Sequence, residues 1–204
     1  MIPPGYRLVR EIAGGFEAID REHREVIVEL GTIDPALASV RHLGLARIYE
    51  IGDGFIAYER LTTPIRAWTK TASNAQRIAA WTLVLRALAA IHRAGLVHGR
   101  VSADHVFVDG ARVVLAGFAR PIAGSPTAMN DQLAVCMALD ETLAKPIDRY
   151  RAAAIQRGLA VDPATRWPDA DALADALETS ASRRLPWMLV VIVLGVIAAL
   201  AVVR

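Results

Sequence analysis

The stretch LVHGRVSADHVFVDG, residues 96–110, decides the fold of this chain. It opens with a short apolar run, turns through a polar elbow that holds His98, Arg100 and His105, and ends in an apolar run before Asp-Gly. Asp-Gly between two runs rich in β-branched residues is typical of a tight hairpin turn. The sequence therefore predicts a small hairpin made by residues 106–108 and 112–116.

A helix is predicted immediately before this stretch. Apolar residues recur at helical spacing between residues 74 and 93. Ser73 is a suitable N-cap with Gln76 three positions later, and Gly95 is a suitable stop. Three further helices are predicted downstream, at about 131–144, 148–159 and 169–180.

The first sixty residues follow a different pattern. Short segments rich in β-branched and aromatic residues predict five strands, at 6–12, 16–20, 25–30, 47–51 and 55–61. The last two flank Gly-Asp-Gly, which is a hairpin signal. A strand-rich N-terminal part followed by a mainly helical remainder indicates an α+β fold.

Bulk composition excludes several classes of partner. The chain has 23 basic and 21 acidic residues, a net charge of +2, and no basic stripe interleaved with aromatic residues, so no nucleic-acid partner is expected. Its one cysteine, Cys136, forms no internal disulfide, and no Cys/His cluster has zinc spacing. We expect no bound metal and a reducing cytoplasm around the soluble part.

The chain ends in an apolar segment that runs from Leu185 to Val203 without a charge. As a helix it would be ~28 Å long, close to the thickness of a bilayer's hydrocarbon core. We interpret it as a C-terminal transmembrane anchor, because a small domain rarely encloses so long a helix that is apolar on every face. Arg183 and Arg184 precede it, and positive charge favours the cytoplasmic side. The expectation is a single-pass protein of the cell inner membrane with a cytoplasmic domain.

Gly195 and Ala199 form a pair of small residues four positions apart within this segment. Such a pair allows two membrane helices to approach closely and would support a weak homodimer. The alternative is chance, since the pattern is common in alanine-rich helices.

Three segments in this order resemble the bacterial Ser/Thr protein kinase family, over about residues 6–178. ALAAIHRAGLVHG (87–99) looks like the helix that enters the catalytic loop, and DQLAVCMALDETL (131–143) looks like the buried helix after the activation segment. RGLAVDPATRWPDADALADALE (157–178) looks like the end of the larger lobe. The resemblance implies a two-lobe kinase-like fold, with a reduced strand-rich N-lobe in 1–61, a helical C-lobe in 62–180, and one transmembrane helix in 185–203.

Phosphoryl transfer in this family needs a glycine-rich cover, a lysine, metal-holding acids and a base. At the matching positions only Gly14 and Gly15 remain of the glycine-rich loop, and Glu29 stands where the lysine belongs. A carboxylate beside phosphates repels them. The helix that carries the lysine's glutamate partner is nearly absent, because residues 31–40 leave room for about one turn and contain no Glu.

The catalytic loop and the metal motif are altered as well. Arg100 stands at the catalytic aspartate, His105 at the metal-binding asparagine, and Gly117 at the metal-binding aspartate of Asp-Phe-Gly. A guanidinium stays charged and cannot accept a proton from a hydroxyl. The activation segment shrinks to residues 121–130 and lacks the Ala-Pro-Glu element. The resemblance therefore implies a pseudokinase with no catalytic residue and no nucleotide or metal cofactor.

Other family positions keep residues whose roles are structural. His98 and Asp131 match the site at which a buried aspartate binds the catalytic-loop backbone, and Phe118 matches the aromatic residue of the metal motif. Arg166 matches the residue that pairs with the missing glutamate, which leaves its partner open. Glu29 and Arg100 reverse the family's charges, so they either attract each other across the cleft or are solvated separately.

Three functions stay open at this point. The first is an inactive, membrane-anchored kinase-like scaffold that acts in signalling by binding an unknown protein partner. The second is a divergent Ser/Thr protein kinase that binds ATP, with or without magnesium, through unusual residues such as Arg100. The third is a decayed product with no selected role.

Overall fold

A computed structural model describes residues 1–119 and 125–182 of this chain. The N-terminal part of the chain forms an antiparallel sheet in the order β1-β2-β3-β5-β4. Its strands are β1 (Arg7–Ile12), β2 (Gly15–Ile19), β3 (Glu25–Leu30), β4 (Ile48–Gly52) and β5 (Phe55–Glu59). The central strand β3 is buried on both faces through Val26, Ile27 and Val28.

The rest of the described chain is mainly helical, apart from the antiparallel hairpin of β6 (Val106–Asp109) and β7 (Arg112–Leu115). The helices are α1 (Ile65–Trp68), α2 (Asn74–Arg93), α3 (Ala128–Thr142), α4 (Arg149–Gly158) and α5 (Ala170–Ser182). Two short 3-10 helices, Pro35–Ser39 and Pro163–Thr165, lie in the connections.

Helix α2 is the centre of the helical unit and packs against α3, α5 and β7. Its start is fixed by the capping box of Ser73 and Gln76, in which each residue's side chain binds the other's backbone N–H. Trp81, Leu85 and Leu88 are fully buried along it. On its solvent side, Arg86 forms ion pairs with three acidic residues of α5, namely Asp171, Asp175 and Glu178.

One hydrophobic core joins the sheet to the helices, since Ile27, Ile56 and Tyr58 belong to the same cluster as the α2 residues. A backbone bridge reinforces this junction, because Leu45, which precedes β4, pairs in parallel with Leu115 of β7. A smaller cluster around Phe16 covers the opposite face of the sheet. The sheet and the helices are thus fixed against each other by apolar packing and by main-chain hydrogen bonds.

Most predicted elements are confirmed, with small shifts at their ends. β3 and α2 have the predicted bounds, whereas α3 begins at Ala128 instead of 131, because Thr127 and Asn130 form a capping box that the sequence analysis overlooked. Helix α1 was not predicted. Within residues 1–119 and 125–182, no helix is long and apolar enough to cross a membrane. The predicted anchor at 185–203, with Gly195 and Ala199, lies outside the described residues.

Two leucines of α2 provide a matched test of this packing. Leu88 is 0% exposed and Leu83 is 45% exposed. We expect Leu88→Ala to lower the free energy of unfolding by about 2–5 kcal/mol, because it removes buried methyl groups and leaves a cavity. Leu83→Ala should change it by less than about 0.5 kcal/mol. Urea unfolding of both variants measures the difference, and equal losses would contradict this placement of α2.

Candidate functional site

The loop at residues 98–105 is anchored by the buried carboxylate of Asp131 in the first turn of α3. Its Oδ1 accepts a hydrogen bond from the backbone N–H of Gly99 at 2.7 Å, and its Oδ2 accepts one from the N–H of His98 at 3.0 Å. His92 Nε2 lies 2.9 Å from the same Oδ2. Asp131 is only 1% exposed, and a buried carboxylate is tolerated when such partners replace water. This contact fixes where the loop leaves the helical core.

The ring of His98 is fixed by two backbone groups. Its Nε2 lies 2.9 Å from the carbonyl oxygen of Ala116, and its Nδ1 accepts a hydrogen bond from the N–H of Arg100 at 3.2 Å. Because a carbonyl only accepts, the proton is on Nε2 and the ring is neutral. Burial lowers the pKa of His98 to about 4, which agrees with the neutral form. His98 therefore supports the loop and carries no charge at neutral pH.

Phe118 joins the loop to the sheet through two edge-to-face ring contacts. Its centroid lies 5.6 Å from that of His98 and 5.9 Å from that of Tyr58 on β5. The three side chains are buried. Burial, together with the negative charge of nearby Glu29, raises the pKa of Tyr58 well above its ordinary value.

The imidazole of His105 lies over Gly117, the position that the family resemblance assigns to a metal-binding aspartate. A Cβ atom built on Gly117 would lie 2.3 Å from Cδ2 of His105. Gly117 also has φ +81°, which favours glycine. His105 is held in this place because its Nδ1 binds the carbonyl oxygen of Arg100 at 2.6 Å. With the ring in this position, no larger side chain fits at residue 117.

Glu29 and Arg100 meet on the backbone of Ala119 and form no direct ion pair with each other. Oε2 of Glu29 accepts a hydrogen bond from the Ala119 N–H at 3.1 Å, and the Arg100 guanidinium donates to the Ala119 carbonyl. Glu29 is buried. The Glu29 carboxylate and the Arg100 guanidinium therefore each bind one peptide group of Ala119. The contact of Glu29 connects β3 to the segment that follows Phe118.

Gly14 and Gly15 form a tight connection between β1 and β2. Gly14 has φ +81°, and its carbonyl accepts a hydrogen bond from the N–H of Leu30 at 3.0 Å. A Cβ atom at Gly15 would lie 2.0 Å from the carbonyl oxygen of Val28, so this position requires glycine. The two glycines thus allow two strands to approach closely.

Arg166 is buried and binds three backbone carbonyls. Its Nε donates to Ala160 at 2.8 Å, and its terminal nitrogens donate to Val161 at 3.4 Å and to Met129 at 3.5 Å. These carbonyls take the place of the glutamate that the family resemblance implies. Sequence reasoning could not find them, because every residue has a carbonyl group.

The structure brings six of the singled-out residues together in one cluster between the sheet and the helical unit, which we call the cleft: Glu29, His98, Arg100, His105, Gly117 and Phe118. Gly14 and Gly15 lie on the sheet, and the pairing of Gly15 with Glu29 places them at the same end of β3. Arg166 belongs to a separate cluster near α4. Asp104, the acid that remains in the loop, is exposed and pairs with Arg66 on α1 at 3.2 Å.

These residues do not fit a magnesium-bound nucleotide. Magnesium prefers carboxylate and other oxygen ligands, whereas the two positions that the family resemblance assigns to the metal hold an imidazole and a glycine. The one carboxylate in the cleft, on Glu29, already binds the Ala119 N–H and would repel phosphate. In the described ranges no three His, Cys, Asp or Glu side chains are grouped as metal ligands would be.

The sheet, the helical unit and the anchored loop between them define a two-lobed α+β fold of the protein kinase type. No protein-family model and no curated protein matches the sequence. Two crystal structures of the Mycobacterium tuberculosis PknI kinase domain match with TM-scores of 0.69 and 0.71 at 19% identity, and each match covers 88% of this chain and 96–97% of the other. A Rad53 structure in complex with AMP-PNP matches with a TM-score of 0.68 at 14% identity, over 84% of this chain and 64% of the other. The chain therefore has a protein kinase-like fold.

Asp131 can be compared with Asp140, which is on the same helix and pairs at the surface with Lys145. We expect Asp131→Asn to lower the free energy of unfolding by about 2–3 kcal/mol, because the loop N–H groups lose a charged acceptor. The amide protons of His98 and Gly99 should also exchange faster. Asp140→Asn should change neither quantity appreciably. Hydrogen exchange followed by mass spectrometry measures both variants, and unchanged loop protection in Asp131→Asn would contradict the anchoring role.

Proposed function

We propose that this chain is a catalytically inactive, membrane-anchored protein kinase-like module that acts through protein contacts in signalling. The observation that carries the proposal is the overlap between the His105 ring and the space beside Gly117. The family requires a magnesium-binding acid there, and here an imidazole fills the place. An acid cannot be supplied at this position without moving the ring.

The charges around the cleft support the same reading. Transfer of a phosphoryl group depends almost entirely on positioning and on compensation of negative charge. Glu29 adds negative charge at the lysine position, and Arg100 offers no basic atom at the position of the general base. The Arg100 guanidinium is also engaged by the Ala119 carbonyl. This arrangement stabilises a closed junction between sheet and helices, and it offers nothing to a triphosphate.

The proposed anchor gives such a module a way to act without catalysis. A domain held on the cytoplasmic face of a bacterial inner membrane by residues 185–203 is confined close to other membrane proteins, which raises its effective concentration toward them. Arg183 and Arg184 lie where positive charge favours that orientation. A scaffold that binds its partner weakly in solution can therefore bind it well at the membrane.

Nucleotide binding separates this proposal from a divergent ATP-dependent kinase. We expect the melting temperature of the full chain in mild detergent to be unchanged by 5 mM ATP, with or without magnesium. A site with a Kd of about 10 µM would instead stabilise the protein by about 4 kcal/mol and raise the melting temperature by roughly 10 °C. The Rad53 fragment, which was solved with AMP-PNP, is a suitable positive control when AMP-PNP is the nucleotide.

A magnesium-dependent rise in melting temperature would contradict the proposal. Phosphoryl transfer that is lost in Arg100→Ala would contradict it further and would establish the divergent kinase. Glu29→Gln is the matched variant for the charge argument. If the negative charge of Glu29 is what repels phosphate, this variant should bind nucleotide no worse than the unmodified protein.

Membrane attachment is tested by changing only the apolar segment. We expect the full chain to remain in the membrane fraction after a high-salt wash, whereas a chain that ends at Arg184 should be soluble. The double substitution Leu194→Lys and Ile197→Lys keeps the length but places two charges near the centre of the segment, at a cost of about 2.5–3.5 kcal/mol each. It should behave as the shortened chain does. A shortened chain that stays with the membrane would contradict the anchor.

A further inference from the structure

A groove of about 660 Å³ lies beside the 3-10 helix Pro35–Ser39, on a side of the fold that the cleft residues Glu29 and Arg100 do not line. Its base is apolar and consists of buried side chains, mainly Leu37, Leu45 and Phe118. Val40 and Ile48 extend the apolar lining toward the solvent. The groove therefore exposes part of the core that joins the sheet to the helices.

The groove exists because the chain between β3 and β4 forms so little helix. Only Pro35–Ser39 is helical there, and it ends at Val40, which is already extended. Beyond it the backbone is held down by two hydrogen bonds to β7, from Ala46 N–H to the Leu115 carbonyl and from Leu115 N–H to the Gly44 carbonyl. This end of the segment is thus fixed, and the segment leaves part of the apolar base open.

The outer edge of the groove is positively charged. Arg41 and Arg47 are exposed, and no carboxylate belongs to its lining. In the described part of the chain neither arginine forms an ion pair, although the Arg41 guanidinium donates to the Ala38 carbonyl. The third arginine, Arg112, is neutralised by Glu59 at 2.8 Å.

Two further lining residues complete the edge. Burial, with a smaller contribution from Arg93, lowers the pKa of His42, so this ring is neutral at pH 7 and adds no charge. Leu43 is 84% exposed and points an apolar side chain at the solvent. The groove thus combines an apolar base, an exposed leucine and two exposed arginines without an ion pair, of which Arg47 also attracts the carboxylate of Glu59 that binds its backbone N–H.

We propose that this groove binds an acidic amphipathic helix of a partner protein. Such a helix presents apolar residues at i, i+3, i+4 and i+7 along one stripe, which would pack on Leu37, Leu45 and Val40. Glutamates on the flanks of the stripe would meet Arg41 and Arg47, and complementary charge gives such a contact its specificity. The inference deepens the proposed function and rests on its protein-contact part.

A second copy of this chain is a poorer occupant. The acidic residues near the surface of the described helices are on α3 and α5. Asp140 and Glu141 of α3 pair with Lys145 and Arg66. Asp171, Asp175 and Glu178 of α5 pair with Arg86. The apolar residues Leu173 and Leu177 of α5 are fully buried in the core. Within residues 1–119 and 125–182, α5 therefore has no apolar stripe to offer another copy.

Phe118 gives the groove a connection to the cleft. Its ring forms part of the groove base and also contacts the rings of His98 and Tyr58. A helix in the groove would therefore pack directly on the side chain that joins the sheet to the anchored loop.

A displayed library of helical peptides tests this inference on the full chain in mild detergent. Each peptide has leucine fixed at i, i+3, i+4 and i+7, and either glutamate or lysine at the flanking positions. We expect glutamate to be enriched beside the stripe. Against the double variant Arg41→Glu and Arg47→Glu, the preference should reverse to lysine, and peptides selected on the unmodified protein should bind it at least about tenfold more weakly.

Two control variants locate the binding site. Arg7→Glu reverses an exposed charge on β1, outside the groove lining, and should leave the preference for glutamate unchanged. Val40→Trp fills the groove without changing its charge and should abolish binding, with circular dichroism and the melting temperature as checks that it folds. Binding that survives Val40→Trp, an absence of any charge preference, or a failure to enrich any helix would overturn the inference.

Two other results separate this inference from its alternatives. A dimer in solution that Val40→Trp dissociates would assign the groove to a second copy and would overturn the inference. The nucleotide titration described above is independent of the groove. A nucleotide that binds would contradict the inactive-kinase proposal, whereas a library without an enriched helix would remove only the groove as the contact site.

Discussion

The buried carboxylate of Asp131 is the contact on which the cleft depends. A carboxylate inside a protein core is costly unless hydrogen bonds replace its water, and here two loop N–H groups and the His92 ring do so. Because these donors belong to the loop and to α2, satisfying the charge also fixes the loop against the helical unit. The positions of His98, Arg100 and His105 follow from that anchor.

In this kinase-like fold, the polar groups of the cleft hold the sheet, the loop and the segment after β7 together. Glu29 and Arg100 bind the two peptide groups of Ala119, and Phe118 packs between Tyr58 and His98. The contacts of Glu29 and Tyr58 join the sheet to the segment after β7, and those of Arg100 and His98 join the loop to the same segment. Glu29 and Arg100, at the positions that the family resemblance assigns to the lysine and the base, here bind the protein's own backbone and so stabilise the fold.

Much of this fold could be predicted from the sequence, because its signals are local. The apolar period and the Ser73 capping box of α2, and the Asp-Gly turn of the β6–β7 hairpin, depend only on neighbouring residues. The changed identities at Glu29, Arg100 and Gly117 could also be read directly, since the kinase family has a fixed residue type at each place.

The remaining features depend on groups that are far apart in the chain or have no side-chain signature. The His105 ring fills the space beside Gly117 because of a backbone hydrogen bond that no residue pattern encodes. The carbonyl partners of Arg166 also cannot be predicted from the sequence, because every residue has a backbone carbonyl. The groove beside Pro35–Ser39 is apolar surface that the short connection between β3 and β4 leaves uncovered, and the sequence shows only that this connection is short.

The carbonyl partners of Arg166 have a consequence for how such a chain can diverge. Where a buried arginine is paired with a distant glutamate, a deletion that removes the glutamate leaves the buried positive charge without a partner. Here the Arg166 guanidinium donates hydrogen bonds to the backbone carbonyls of Met129, Ala160 and Val161, and a backbone carbonyl is present whichever residue occupies the position. The acceptors of this buried guanidinium therefore do not depend on which side chains occupy positions 129, 160 and 161, and substitutions there should leave its charge compensated.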